Sequence, residues 1–369
     1  MQENFQSILV IATRQLGDVL VTTPLIHAAR AQWPQARIDV LGFKGTMGLL
    51  QGNPDLNELI EVDAGAGWRR SMPLIRRLWR RYDLALISQY SDRAHLYGWV
   101  AARVRAGLVP AGRSGWWKRL LNRRIPRLPG DAVHVLLEKQ NLLSPWGGDT
   151  APPLVQLPRR HALPAELEKR LARRYVVMRV PALVRQKQRP VENLAQVARA
   201  LAAEGTQVVL TGGPSPADRA LVAQAAALAD APNVIDAAGQ LDLQAMTTLL
   251  KGAALYVGPD TSITHLAAAC GTPVIALYGP IDPRLWGPWP VGWPAQQPYE
   301  SRGPRQARGN IVLLQGSQPC VPCNGAGCEK HANSRSDCLE TMAPERVLHE
   351  ARGILHAAAA ETEARQSTL

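Results

Sequence analysis

The chain has 369 residues, of which 46% are hydrophobic and 20% charged, and 42 Lys and Arg against 30 Asp and Glu leave a formal charge of +12. That length suits two domains of about 100–200 residues each, and the composition excludes a disordered or collagen-like chain. The positive balance points to polyanions (nucleic acid, anionic lipid, nucleotide phosphates) but says nothing of fold.

In chain order, short β-rich runs alternate with helical patterns. Ile8–Ala12, Ile38–Gly42, Leu59–Val62 and Leu84–Ser88 read as strands, with helices between them, notably Val19–Gln32. Such alternation predicts parallel pairing through right-handed crossovers, hence a doubly wound sheet. From about Ser144 to Arg174 the prolines 145, 152, 153, 158 and 164 mark an interdomain connection. A second series follows: strands at Tyr175–Val180, Gln207–Thr211, Val234–Asp236, Leu255–Gly258 and Val274–Tyr278, with helices at Val191–Glu204, Pro216–Ala227, Leu243–Gly252 and Ser262–Cys270. Past Gly279 the text turns irregular, rich in Pro, Gly and Trp, passes a cysteine cluster and ends in a helix from about Pro344 to Ala360. The expected division is 1–160, 161–345 and a closing helix and tail, 346–369, with the option of crossing back onto the first domain. The start Met1-Gln2-Glu3-Asn4, which carries no cationic side chain, and the short apolar run at Ile8–Ala12 resemble neither a signal peptide nor a membrane span of about 20 residues, so a cytoplasmic location is expected.

In doubly wound sheets ligands gather beyond the carboxyl ends of the strands. The first such loop is Thr13-Arg14-Gln15-Leu16-Gly17-Asp18, where Gly17 permits a tight turn and Asp18 opens a helix, either as a functional carboxylate or as a plain N-cap. Neither a G-x-G-x-x-G fingerprint nor a Walker-type phosphate loop occurs. The loop Gly258-Pro259-Asp260-Thr261-Ser262-Ile263-Thr264-His265 brings backbone N–H groups, hydroxyls and a helix N-terminus to one point, which suits a diphosphate. The bland alternative is a capped helix with His265 in the core. Tyr278-Gly279-Pro280-Ile281-Asp282-Pro283 ends the next strand and adds polar groups. Arg185, Lys187 and Arg189 precede Pro190, and Thr211-Gly212-Gly213-Pro214 forms another strand-to-helix turn with Asp218 one turn on.

Together, Gln15-Leu16-Gly17-Asp18-Val19-Leu20-Val21-Thr22-Thr23-Pro24, Lys187-Gln188-Arg189-Pro190, the 258–265 loop and Gly279-Pro280-Ile281-Asp282-Pro283 resemble glycosyltransferase family 9, the lipopolysaccharide heptosyltransferases. The resemblance implies an α/β GT-B fold, two Rossmann-like domains facing each other across a cleft, the first binding acceptor and the second a nucleotide sugar. It implies ADP-heptose as donor, the inner core of lipopolysaccharide as acceptor, and a peripheral location on the inner face of the bacterial inner membrane. Asp18 matches the family's catalytic base and Lys187 its phosphate-binding lysine. Asp260, Thr261, Ser262 and His265 match its donor loop, with Gly17, Thr211, Gly212 and Gly279 as further donor-side positions. The chain departs from the family where Lys-x-Trp-Pro is frequent, having Arg189, and where Thr is frequent, having Ile281. Both differences fall in the donor half, so a relative using a different nucleotide sugar is the alternative.

Transfer then needs Asp18 to take a hydroxyl proton while Lys187 and the Thr261–Ser262 N–H groups stabilise the departing diphosphate. No Asp-x-Asp motif demands a bridging Mg²⁺, and no cofactor is expected, the ADP-sugar being a substrate. Arg69, Arg70, Arg76, Arg77, Arg80 and Arg81 flank Trp68 and Trp79, and Trp116-Trp117-Lys118-Arg119 precedes Arg123 and Arg124. These cations suit an anionic inner-leaflet surface and a phosphorylated glycolipid, or are merely a solvated face. A basic nucleic-acid-binding protein is the rival from another class, but only 2 Phe and no RNA-binding signature speak against it. Cys320-x₂-Cys323-x₄-Cys328-x₉-Cys338 starts like a zinc knuckle with irregular later gaps, so reduced thiols are favoured over a structural metal, and Cys270 reads as core.

Overall fold

The computed structural model describes all residues except 1–2, 66, 111–114, 123–131, 149, 332 and 367–369. It divides into two compact units, one of residues 1–159 with 292–296 and one of 160–291 with 297–369.

In the first unit, β1 (Ser7–Ala12), β2 (Arg37–Phe43), β3 (Glu58–Val62), β4 (Tyr82–Ile87) and β5 (Ala102–Gly107) form a parallel sheet in the order β3-β2-β1-β4-β5. The apolar text of β1 and β4 follows from burial on both faces: Ile8, Val10, Leu84 and Leu86 enter one core, while Leu9, Ile11, Ala85 and Ile87 enter another. The expected helix Val19–Gln32 is in fact two, Leu16–Leu20 and Thr23–Gln32. Pro24 cannot donate to the Leu20 carbonyl, which instead accepts from Thr23 Oγ1 at 2.8 Å. Sequence reasoning missed β5 because Arg103 and Arg105 interrupt its apolar pattern; Arg105 is buried by donating to the carbonyls of Ala102 (2.7 Å), Arg103 (3.1 Å) and Leu121.

In the second unit, β6 (Tyr175–Arg179), β7 (Gln207–Thr211), β8 (Val234–Asp236), β9 (Leu255–Pro259), β10 (Val274–Tyr278), β11 (Arg305–Arg308) and β12 (Ile311–Gln315) are ordered β11-β12-β10-β9-β6-β7-β8. All pairs are parallel except β11–β12, an antiparallel hairpin whose turn places Gly309 at φ +54°. That hairpin lies in the stretch expected to be irregular. The closing helix runs Pro344–Gln366, and its Val347, Leu348, Ala351 and Leu355 pack into the core of this second unit. In each sheet the chain reverses direction of travel once around its first strand, between β1 and β4 and between β6 and β9. Crevices for ligands open at such switch points.

Candidate functional site

At the β6/β9 switch point, the loop after β6 supplies Lys187 and the loop after β9 supplies Asp260. Lys187 Nζ lies 2.6 Å from Asp260 Oδ2. Gln188 staples the lysine's loop: its amide nitrogen donates to the carbonyls of Val180 (3.0 Å) and Arg189 (3.1 Å), and its Oε1 accepts from Ala182 N–H (2.7 Å). Arg189 points inward, buried, and donates to the Met342 carbonyl. Burial lowers its guanidinium to about 10, with Arg346 adding repulsion. The residue that departs from the family pattern is therefore part of the loop's anchorage.

Asp260 is 7% exposed and sits among Lys187, the Tyr278 hydroxyl at 3.4 Å and His265 Nε2 at 3.9 Å from Oδ1. Burial pushes His265 down to about 4, with Asp260 pulling the other way and Lys187 adding to the fall. The imidazole is neutral at pH 7. Thr261 is the N-cap of the helix Ser262–Ala269, and both Thr261 and Ser262 are half-buried. The first N–H groups of a helix have no partner within it, so this end presents donors and partial positive charge beside Lys187. Thr264 Oγ1 fixes the turn from behind, donating to the Pro259 carbonyl and lying 3.0 Å from the Tyr256 hydroxyl. A cation, a helix N-terminus and a neutral imidazole around one buried carboxylate make a pocket suited to a phosphate-bearing ligand.

Three of the expected donor-side positions also make close contacts within the fold. Thr211 is buried and its hydroxyl donates to the Met178 carbonyl at 3.2 Å. A Cβ on Gly212 would lie 2.7 Å from Val222 Cγ2, and one on Gly279 2.7 Å from Leu339 Cγ. Both glycines serve close packing. Asp282 caps the short helix Pro283–Trp286 and pairs with Arg284 Nη2 at 2.7 Å.

At the β1/β4 switch point of the first unit, Asp18 lies in the first turn of the helix Leu16–Leu20, half-buried. The N-cap is Gln15, not Asp18, so the capping alternative falls away. Gly17 lies inside this helix, its carbonyl accepting from Val21 N–H at 3.0 Å. The Asp18 carbonyl accepts from Thr22 Oγ1 at 2.6 Å, and Thr22 Oγ1 is 3.5 Å from Ser88 Oγ at the end of β4. Two neighbours escaped the sequence reading: Lys139, which donates to the Ser88 carbonyl at 2.8 Å, and Glu138, which accepts from the Tyr90 hydroxyl. Both look like ordinary charged positions in the text Val135–Gln140; burial singles out Lys139, and the Tyr90 bond singles out Glu138.

The family model for Glycosyltransferase family 9 (heptosyltransferase) matches residues 71–297. The chain belongs to glycosyltransferase family 9. It is similar to lipopolysaccharide heptosyltransferase 3 of Escherichia coli, with 30% identity over 293 residues that cover 74% of this chain and 83% of the relative. Lipopolysaccharide heptosyltransferase 2 of Salmonella typhimurium is 26% identical over 319 residues, covering 76% of this chain and 85% of that one. Among solved structures, E. coli ADP-heptose lipopolysaccharide heptosyltransferase II superposes with a TM-score of 0.72 at 22% identity, over 96% of this chain and 99% of that one. A family-9 glycosyltransferase from Veillonella parvula gives 0.74 at 19%, over 97% and 99%. This family-9 enzyme has the GT-B fold, built of two Rossmann-like units.

The basic surface of the family-9 chain is less free than its sequence suggests. Arg37, Arg77 and Arg81 converge on Glu58, and Lys118 is buried against Asp92 at 2.7 Å. Trp79, Leu96, Trp99, Trp116 and Leu120 are exposed, all in the first unit. The side chains of Trp68 and Arg69, and Arg123 and Arg124 altogether, lie outside the described residues. Cys320, Cys323, Cys328 and Cys338 line one cavity of about 70 Å³, with Asp337 N–H donating to Cys328 Sγ at 3.3 Å. Among the described residues, no group of three or more His, Cys, Asp or Glu is arranged to hold a metal ion. Cys270 caps the helix Ser262–Ala269 at its C-terminus rather than lying within it.

Proposed function

We propose that the chain transfers a heptose from ADP-heptose to the inner core of a lipopolysaccharide-type glycolipid, by single displacement with inversion at the anomeric carbon. The observation that carries this reading is the Lys187–Asp260 pair beside the Ser262–Ala269 N-terminus, at the switch point of the second sheet. Relatives named as lipopolysaccharide heptosyltransferases support the sugar and the acceptor class. Lys187 and the Thr261–Ser262 backbone bind the diphosphate and take up the charge it gains as the bond to the sugar breaks. Asp18 accepts the proton of the attacking hydroxyl. No step in this scheme calls on a bound cofactor. The exposed tryptophans and arginines of the first unit dock on an anionic inner leaflet, which makes the enzyme peripheral on the cytoplasmic face. Incubation with ADP-heptose and defined truncated lipopolysaccharides, read by product mass, tests the reaction. A mass gain other than a heptose, from another nucleotide sugar, would assign the chain to a different donor. An Asp18→Ala enzyme with normal donor binding and near-normal turnover would remove the base assignment.

A further inference from the structure

We propose that Lys139 is a positioning residue that holds Asp18 in its ionised, proton-accepting form, with Glu138 opposing it. This rests on the reading of Asp18 as the base. Lys139 is 2% exposed, yet the hydrogen bond that locates its ammonium is to one carbonyl, that of Ser88, at 2.8 Å. Placing a cation there is unfavourable unless an anion compensates it, and a neutral side chain of similar length would fill the same space. Ser88 belongs to the same corner as Asp18: its hydroxyl donates to the carbonyl of Ile11, near the end of β1, at 2.9 Å and stands 3.5 Å from Thr22 Oγ1, which in turn donates to the Asp18 carbonyl. The Lys139 ammonium and the Asp18 backbone are thus linked through Ser88 and Thr22 at one switch point.

The charges that face Lys139 are Asp18 and Glu138, which favour its protonated form, and Arg14, which disfavours it. Burial is the largest influence and lowers the ammonium to about 8, leaving it predominantly charged at pH 7. Glu138 is raised by its own burial, against the Tyr90 hydrogen bond and Lys139, and Asp18 raises it further. Asp18 accordingly has a buried cation and a half-buried carboxyl in its neighbourhood, and a positive and a negative charge there act on it with opposite sign. In the transfer step the acceptor oxygen bonds to the anomeric carbon, the bond from that carbon to the donor phosphate breaks with its electron pair leaving on the diphosphate, and the hydroxyl proton passes to Asp18. Lys139 keeps its own proton throughout and touches no substrate.

The pH profile of kcat/KM for Lys139→Met, Lys139→Arg and Glu138→Gln in the full chain tests this. Lys139→Met moves the acid limb up by one unit or more, as removing an adjacent opposite charge does to a carboxylate. Lys139→Arg leaves the limb near its wild-type position, and Glu138→Gln moves it down. Should Lys139→Met not fold, as judged by circular dichroism, Lys139→Gln keeps a donor for the Ser88 carbonyl and carries the same expectation. An acid limb unmoved in the lysine and glutamate variants, with activity lowered equally at all pH, makes this pair a packing feature and overturns the inference while leaving Asp18 as base. Loss of the base assignment itself shows separately, as an Asp18→Ala enzyme that still turns over.

Discussion

Lys187 and Asp260 meet as an ion pair, Nζ to Oδ2 at 2.6 Å, although 73 positions separate them in the chain and each arrives on the loop after a different strand, β6 and β9. The pair pre-positions the cation beside the helix end that starts at Ser262. On the proposed function, a phosphate ligand would find it already oriented, with little ordering entropy left to lose on binding.

Lys187→Ala is expected to weaken donor binding and kcat/KM by about 10- to 100-fold, the worth of one charge-assisted hydrogen bond of roughly 1.5–3 kcal/mol. Calorimetric titration with the nucleotide sugar, alongside steady-state rates, checks it. Asp260→Asn should lower affinity less, and the double variant less than the sum, because the residues form one unit. Unchanged binding and turnover in Lys187→Ala would move the phosphate contact elsewhere.

His265 makes stability depend on acid pH. Its folded value of about 4 lies below the usual 6.5, so between those limits the unfolded chain binds the extra proton. Stability from this group is complete above pH 6.5 and is lost as pH falls toward 4, by up to about 3 kcal/mol. Thermal melts of the wild type and His265→Asn from pH 4 to 7.5 should show the variant with the shallower decline. Parallel curves would assign the acid sensitivity to other groups.

Gly212→Ala sets the packing role against a ligand role. The added methyl would meet Val222 Cγ2 at 2.7 Å. Overpacking of this kind costs about 1–3 kcal/mol, so the denaturation midpoint should fall while the dissociation constant for the nucleotide sugar stays within about twofold. A large loss of affinity at unaltered stability would return Gly212 to the donor site.

Thiol reactivity should divide the five cysteines. Burial raises Cys270 and Cys338 to about 12, and for Cys338 the neighbouring thiols of Cys328, Cys323 and Cys320 raise it further. The thiolate is the nucleophile, so both should react slowly with a thiol reagent at pH 8, after a fast phase from the exposed Cys320, Cys323 and Cys328. Five equivalent fast thiols would mean that the second unit opens readily. A metal occupying the cysteine-lined cavity would instead silence the fast phase until a chelator is added.

Flotation with vesicles examines the proposed membrane contact. Binding to anionic vesicles at low salt, lost in 0.5 M salt or in Trp79→Ala with Trp99→Ala, is the expected pattern, since charge attraction is screened and the exposed rings supply apolar contact. Equal binding to neutral vesicles would speak against an electrostatic dock.

Most of the Rossmann pattern was legible because the central parallel strands are buried on both faces and therefore read as bounded apolar runs, as at Ile8–Ala12 and Val274–Tyr278. β5 was not, since its arginines are satisfied by carbonyls that no local pattern reveals. The 305–315 hairpin was hidden for a different reason: a two-residue turn joins short strands directly after text rich in Pro, Gly and Trp. The loops that carry Asp18, Lys187 and Asp260 were identifiable from their place after strands. Thr211, Gly212 and Gly279 have the same kind of place, and their contacts with the Met178 carbonyl, Val222 and Leu339 come from other elements that no local pattern reveals.

The order of residues by itself determined the two βα series, the polar loops at the strand ends and the membership of those loops in a recognisable family pattern, because strand burial, helix starts and turn chemistry are local. Only the tertiary structure decided which charges meet: Lys187 with Asp260, Lys118 with Asp92, and Lys139 with the corner that holds Asp18. The physical reason is that the energy of a charge depends on how far water is excluded around it and on which opposite charge lies within a few ångströms, and both are properties of the folded packing.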